Sequence, residues 1–317
     1  MITTDLNLVI ETLKKDDVVA IPTETVYGLA GNAFKDSSVE KIFQLKERPA
    51  FNPLIVHIAK PELLDQVATS IPPNAQLLAD AFWPGPLTLV LDKKDQILDR
   101  VTAGKSTVAV RVPNHPLTLK LLQELEFPLA APSANPFGSI SPTSAAHVDA
   151  YFNERLSLIL DGGPCRNGLE STIIGFEDNR PLLYRHGALA INDIEKVVGK
   201  VEVNTKNDQS PKAPGMLSRH YAPKTSTILS KNPVEALETF SNKKIGLLSL
   251  QKIELSNIEI YQEILSTDGN LKEAAKNLYA ALHRLDQMNL DLIIVPYFPD
   301  TGLGKTINDR LQRAIQK

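Results

Sequence analysis

The sequence predicts an α/β protein of two units, and three observations carry that prediction. Short apolar runs of strand character alternate with amphipathic stretches of helical spacing along most of the chain. Polar turns meet the ends of those runs repeatedly, which is how open α/β sheets present groups to a ligand. The 317 residues exceed one ordinary domain and suffice for about two, and 43% hydrophobic with 22% charged residues suits packed cores.

Taken in order, Leu6–Leu13 has helical spacing and enters the charged turn Lys14–Asp17. Val18–Ile21 reads as a short strand that opens into Pro22-Thr-Glu-Thr-Val-Tyr-Gly28, where the glycine admits close backbone approach. Ser38–Leu45 is a helix with Val39, Ile42 and Phe43 inward, ending in Lys46-Glu-Arg48 before Pro49. Two cations at a helix end complement its dipole, or they await an anion; Phe51-Asn52-Pro53 adds a second stiff polar turn. Leu54–Ile58 is a strand with His57 on the face of Ile55. Leu77–Trp83 is helical, Pro84-Gly85-Pro86 breaks it, and Leu87–Leu91 is the next strand. Asp92–Ser106 is hydrophilic. Thr107–Pro113 is a strand carrying Arg111 between Val110 and Val112. A buried arginine normally meets an anion; the competing reading is an edge strand with Arg111 facing water.

The helix Pro116–Leu125 leads to the apolar run Phe127–Ala131 and then to Ala130-Ala-Pro-Ser-Ala-Asn-Pro-Phe-Gly-Ser-Ile-Ser-Pro-Thr143, the stretch around which the chain is organised. Prolines restrict this loop, so the hydroxyls of Ser133, Ser139 and Ser141 and the amide of Asn135 are aimed before a ligand arrives. Ser141-Pro142 reads as an N-cap and first helical position. That would turn the free N–H groups of the next helix toward an anion, above all a phosphate. A rigid connection with serines facing water is the alternative. Leu156–Leu160 is a strand ending in Asp161-Gly-Gly-Pro164, Glu170-Ser-Thr-Ile-Ile-Gly175 opens another, and Leu182–Tyr184 runs into Arg185.

The sequence divides into 1–203, a linker at 204–224, and 225–317. Asn204–Pro211 is polar and aperiodic. Pro214-Gly-Met-Leu-Ser-Arg-His-Tyr-Ala-Pro223 is too rich in aromatic and cationic groups for a spacer, and reads as a tether lying back on the first unit. The second unit has strands near Ser226–Leu229, Ile245–Leu250 and Leu292–Pro296, and helices near Pro233–Phe240, Leu271–Asp286 and Asn308–Gln316. Gly302-Leu-Gly-Lys-Thr306 imitates the end of a P-loop, but Pro299 stands where that motif needs glycine. It reads as a tight turn into the last helix.

Composition narrows the function. A net charge of -3 gives no long-range pull on nucleic acid. A single cysteine, Cys165, excludes an intramolecular disulfide and a cysteine-rich zinc site. The six histidines form no HxxxH or HExxH pair. The start of the chain lacks signal-peptide character and no apolar run reaches the ~20 residues of a membrane helix, so the expected location is cytoplasmic.

Pro22-Thr-Glu-Thr-Val-Tyr-Gly-Leu29, Lys46-x-Arg48, Phe82-Trp-Pro-Gly-Pro-Leu-Thr88, Ala109-Val-Arg-Val-Pro113, Pro132-Ser-Ala-Asn135 and Glu170-Ser-Thr172 together resemble the YrdC family. Pro214-Gly-Met, His220-Tyr-Ala-Pro223 and the second unit resemble its long, two-domain form, so the likeness spans essentially the whole chain. Gly175 departs from it, since an acidic residue is expected soon after Ser-Thr. The resemblance implies a twisted α/β sheet around a deep, positively lined cavity, with a smaller Rossmann-like α/β C-terminal domain whose linker covers the cavity.

The implied activity is a nucleotidyl transfer. L-threonine, bicarbonate (or carbon dioxide) and ATP give L-threonylcarbamoyladenylate, pyrophosphate and water, the first step in threonylcarbamoyl modification of adenosine 37 in tRNAs reading ANN codons. By matching position, Lys46, Arg48, Ser133 and Asn135 form the catalytic set. Arg48, Asn52, Thr107, Ser133, Ser141, Arg185 and Tyr221 contact ATP. Thr25, His57, Arg111, Ala131 and Ser171 hold L-threonine, with Arg111 gripping a carboxylate. Mg2+ is expected to arrive with ATP, with no metal site on the protein and no tightly bound cofactor. The implied partners are the substrates, a separate tRNA threonylcarbamoyl-transferase complex and, weakly, tRNA, with no membrane. The alternative from another class is an RNA-binding module without turnover, gripping tRNA or double-stranded RNA; the charge of -3 and the lack of an arginine-rich stripe speak against it.

Overall fold

The computed structural model describes residues 1–204, 211–217, 220–255 and 260–315. Most of the polar linker (205–210), part of the tether (218–219) and the end of the expected last helix (316–317) thus lie outside the described residues.

The first unit is one mixed sheet of eleven strands. They are β1 (Ile2–Thr3), β2 (Val19–Ile21), β3 (Gly28–Asn32), β4 (Ile55–His57), β5 (Leu87–Asp92) and β6 (Thr107–Arg111), then β7 (Leu129–Ala130), β8 (Leu158–Leu160), β9 (Thr172–Glu177), β10 (Arg180–Arg185) and β11 (Glu202–Val203). Their order is β1-β8-β2-β3-β7-β4-β6-β5-β9-β10-β11. The helices are α1 (Leu6–Lys14), α2 (Asp36–Lys46), α3 (Pro73–Phe82), α4 (Asp99–Thr102), α5 (Pro116–Glu124), α6 (Ala145–Phe152) and α7 (Ile191–Val198). The second unit has four parallel strands, β12 (Thr227–Ser230), β13 (Ile245–Ser249), β14 (Tyr261–Ile264) and β15 (Leu292–Pro296), in the order β12-β15-β13-β14. Its helices are α8 (Pro233–Thr239), α9 (Leu271–Asp286) and α10 (Leu303–Ala314).

Side-chain periodicity sets how these layers stack. In α1, Asp5 caps the first turn by accepting from Asn7 N and Leu8 N, and Val9, Ile10 and Leu13 point inward. They pack with α5 residues Leu121 and Leu122 against Val19, Ile21 and Leu158. Elsewhere in the sheet, Val56, Leu89, Val110 and Ile174 share a core with Ile42, Leu78 and Val148. A third apolar strip, formed by Ile55, Val90, Ala109, Ile173, Leu182 and Tyr184, is covered by Ala213 and Met216 of the tether rather than by a helix. This stretch of β4, β6, β5, β9 and β10, which has no helix over it, becomes the floor of the site.

Two expectations change. The helix after the proline-rich loop starts at Ala145, and its cap is Ser144, which accepts from His147 N; Ser141 is not the cap. The carbonyls of Pro142 and Thr143 are already taken by Tyr27 N and Cys165 N, so those residues cannot begin a helical ladder. The last helix begins at Leu303, not Asn308, and the P-loop-like Leu303–Thr306 forms its first turn behind the Gly302 cap.

Other elements had no clear signal. Gly28–Asn32 is glycine-rich and buried at every position, with Gly31 pressed so close that an added Cβ would lie 3.1 Å from Val18 Cγ1. The unanticipated α4, α7 and β14 and the two-residue strands β1 and β11 complete the architecture. Gly175 has a packing reason: an added Cβ would lie 2.2 Å from the Tyr184 ring. Among the described residues no helix is long and apolar enough to cross a membrane.

Candidate active site

Strand register creates the site. Parallel β4 and β6 pair Ile55 with Ala109 and His57 with Arg111, so Thr107, Ala109 and Arg111 follow one another along a single sheet face. Because β6 lies between β4 and β5 inside the sheet, Arg111 does not face water. Above its end of the strip lies a cavity of about 40 Å³. That is room for a few waters, whereas ligand pockets hold roughly 300–1,000 Å³. The described conformation is therefore closed.

Each nitrogen of the Arg111 guanidinium has a protein group beside it. Its Nε donates to Gly85 O at 3.1 Å and its Nη1 to Thr25 Oγ1 at 2.9 Å. Its Nη2 lies 2.6 Å from Glu24 Oε1, with both side chains under 5% exposed. Both Glu24 oxygens and Arg111 Nη2 lack hydrogen-bond partners, so the contact is an ion pair. Arg111 thus already has an anion, Glu24, which the sequence reading left without a role. Beside it, burial first and then Arg111 push His57 down to about 3, so this imidazole is neutral, and its Nδ1 has no partner.

A second group of cations surrounds the proline-rich loop. Lys46 Nζ donates to Ser133 O and Asn135 O, both at 2.5 Å. Burial, then neighbouring Arg48, pulls its pKa well below the lysine range. Arg48 Nε donates to Asn52 O at 3.0 Å and Nη2 to Pro53 O at 2.7 Å, so the turn predicted at Phe51–Pro53 holds the guanidinium. Burial and then Arg185 push its pKa down; a guanidinium nevertheless stays charged. Asn135 Nδ2 donates to Pro136 O and Ser139 O and braces the loop from within.

Arg185 closes the far wall. It donates from Nε and Nη2 to Ser171 O and from Nη2 to Ser171 Oγ, while Thr88 Oγ1 sits 2.7 Å from the same hydroxyl. Its Nη1 reaches Pro214 O on the tether. Tyr221, near the end of the tether and with a left-handed backbone (φ 66°), is buried with an unpartnered hydroxyl. A non-glycine residue held in that conformation marks a place where surrounding contacts override local strain. Neighbouring Glu170 is held by α9 and α10: Arg310 Nε donates to its Oε2 at 2.8 Å and the Tyr279 hydroxyl at 3.0 Å. Burial alone would raise the Glu170 carboxyl, but Arg310, Arg185 and the Ser141 hydroxyl hold it at about 2.

Of the sequence-predicted residues, Thr25, Arg48, His57, Arg111, Ala131, Ser133, Ser171, Arg185 and Tyr221 meet around the cavity. Lys46, Asn52 and Asn135 stand just behind that lining, gripping its loops. Ser141 is turned away, donating to Glu170 Oε1 at 2.6 Å. Thr107 lies at the other end of β6, in a separate hollow of about 430 Å³ with Lys105, Tyr184 and Lys212. Glu24, Glu170 and His220 were missed as individual residues although each lies inside a quoted motif; Arg310 carried no local signal. Most of the buried polar atoms without hydrogen-bond partners lie in or just behind this lining, on Glu24, Asn52, His57, Arg111, Asn135, His220 and Tyr221, with Glu24 and Arg111 ion-paired to each other and His115 Nδ1 lying outside it. Folded proteins pair the great majority of such atoms, so a cluster of orphans marks a place for a polar ligand.

A family profile described as telomere recombination, of the Sua5–YciO–YrdC group, matches residues 11–187. A second, described as threonylcarbamoyl-AMP synthase, C-terminal domain, matches residues 189–315. The chain is similar to the threonylcarbamoyl-AMP synthase of Pyrococcus abyssi, with 40% identity over 316 residues, 95% of this chain and 91% of that one. It is equally similar to the synthase of Bacillus subtilis, 40% identical over 312 residues, 95% of this chain and 90% of that one. The crystal structure of P. abyssi Sua5 complexed with L-threonine superposes with a TM-score of 0.92 at 40% identity, over 98% of this chain and 94% of that chain.

Proposed function

We infer that this chain, which belongs to the Sua5–YciO–YrdC family, synthesises threonylcarbamoyl-AMP from L-threonine, a carbon dioxide source and ATP. The observation that carries the reading is the set of orphaned buried polar atoms on both sides of one cation-rich cavity. An RNA-binding module without turnover would not need such a cavity.

In the proposed arrangement L-threonine lies at the Arg111 end of the floor, among Thr25, His57, the backbone at Ala131 and Ser171. Arg111 keeps N–H groups for a carboxylate beyond those spent on Gly85, Thr25 and Glu24. ATP lies along the same face toward Thr107, about 13 Å away at strand rise. Its base would cover the apolar strip that Ala213 and Met216 now cover, and its triphosphate would meet Arg48, Ser133 and Arg185. Arg48 and Arg185 have only backbone or hydroxyl partners among the described residues, so an anion between them relieves their mutual repulsion. Lys46 and Asn135 hold the loop that presents Ser133. The tether must lift for substrates to enter and return to exclude water.

The amine of threonine attacks carbon dioxide derived from bicarbonate and becomes a carbamate. A carbamate oxygen then attacks the α-phosphorus in line, and pyrophosphate leaves. No covalent enzyme intermediate is needed: Cys165 is buried, and burial pushes its thiol up to about 12. Rate enhancement comes from juxtaposition and from fixed positive charge at the phosphates. Mg2+ enters as part of the ATP substrate. Its product, a reactive mixed anhydride, is then passed to the transfer complex that modifies adenosine 37 of tRNA, with tRNA itself a weak contact. Incubation with ATP, bicarbonate and threonine, followed by mass analysis, should yield pyrophosphate and an adenylate that carries both threonine and one carbon from bicarbonate. Salt-sensitive RNA binding without any pyrophosphate would refute the assignment.

A further inference from the structure

Glu170 lines the cavity, yet its charge is balanced from the second unit. Arg310, 1% exposed on α10, donates to it from Nε at 2.8 Å, and its guanidinium lies 4.7 Å over the Tyr221 ring. The same group pairs with Asp309 at 2.6 Å and donates to His186 O, while Asp309 also keeps Arg313 at 3.0 Å. Thr306 Oγ1 donates to Gly187 O, and His283 Nε2 sits 3.2 Å from Ser141 O, so α9 and α10 seat on the same wall. A bare carboxylate there would face the incoming triphosphate and compete for Arg185, the other cation acting on Glu170.

We propose that Arg310 is a positioning residue for the nucleotide: by neutralising Glu170 and backing Tyr221 it makes docking of the C-terminal unit and binding of ATP mutually reinforcing. The inference rests on ATP occupying this cavity. With the Arg310 charge present, Arg185 remains available to phosphate and Tyr221 stays in the cavity wall. Without it, Glu170 keeps only the Ser141 and Tyr279 hydroxyls and the pull of Arg185, and its buried charge acts against an anion bound in the same cavity. Coupling of this kind is reciprocal, so ATP must stabilise the docked α9 and α10 as much as their docking favours ATP.

The test compares full-length wild type, Arg310→Gln and Glu170→Gln/Arg310→Gln in pyrophosphate release. Turnover by wild type establishes the reading on which the inference rests, and its absence would fail that reading alone. Arg310→Gln should raise KM for ATP by about tenfold or more, the scale of an unpaired charge near phosphate, with a smaller change in KM for threonine. The double variant, lacking both charges, should recover most of that loss. An unchanged KM in Arg310→Gln, or a loss that the double variant does not recover, would overturn the proposal, because a purely structural role is not repaired by removing a second side chain. Should Arg310→Gln fail to fold, amide exchange in wild type decides: ATP should slow exchange in α9 and α10, and unaltered exchange at saturating ATP would overturn it equally.

Discussion

Arg48→Ala is the sharpest perturbation of the proposed phosphate site. The guanidinium is buried and spends Nε and Nη2 on Asn52 O and Pro53 O, leaving Nη1 without a protein hydrogen bond among the described residues. Alanine removes two charge-assisted hydrogen bonds, each worth about 1.5–3 kcal/mol when nothing opposes them. Relief of burial and of repulsion from Arg185 offsets much of this, so a net stability loss of about 1–3 kcal/mol is expected and the fold survives. Catalysis loses far more, because a fixed cation aimed at charge developing on phosphate contributes about 10²–10³-fold. Steady-state pyrophosphate release should therefore show kcat/KM for ATP down by about 10²–10³-fold, with Arg48→Lys in between because lysine keeps the charge and loses the fork. Thermal unfolding of the same samples separates the two effects. An Arg48→Ala enzyme within threefold of wild type would refute the phosphate assignment.

Three further outcomes follow from the packing. Glu24→Gln leaves Arg111 without its buried counter-ion and should cost about 3–5 kcal/mol in urea unfolding; a loss under 1 kcal/mol would show that the pair is not held as described. Gly175→Ala forces a methyl into the Tyr184 ring and should cost about 1–3 kcal/mol, largely restored by adding Tyr184→Leu; equal stability of all three proteins would sink the packing argument. The stacked imidazoles of His147 and His283, 3.9 Å apart between the two units, are held at about 3 and about 4, in each case chiefly by burial. Since the unfolded chain takes up these protons near pH 6.5 and the folded one does not, their contribution is complete above that pH. It should fade as pH falls toward 4 and then 3. Tm recorded from pH 7 to 4 should fall more steeply in wild type than in His147→Gln/His283→Gln, and parallel curves would count against it.

Much of the site could be read in advance because its residues sit in short local motifs at strand ends, where backbone and side-chain chemistry are set by near neighbours. The Lys46–Arg48 pair, the Pro132–Asn135 loop and Arg111 needed only their own segments to suggest an anion. The cap at Ser141 went wrong for a reason outside the segment: Pro142 and Thr143 give their carbonyls to Tyr27 and Cys165, so the cap falls three residues later, at Ser144. β3 escaped notice because Gly28–Asn32 has neither alternation nor branched residues, and becomes a strand only by pairing with β2 and β7.

From its own residues the chain declared an α/β protein in two units, the polar strand ends and the cations at them, since these depend on periodicity and on neighbours within a few positions. Three-dimensional packing alone decided that Glu24 answers Arg111, that Ser141 serves Glu170 and that Arg310, 140 positions from Glu170, completes a wall of the cavity. Such pairings are set by which buried charges are left facing one another once the sheet has closed, and burial makes each unmatched charge too costly to remain.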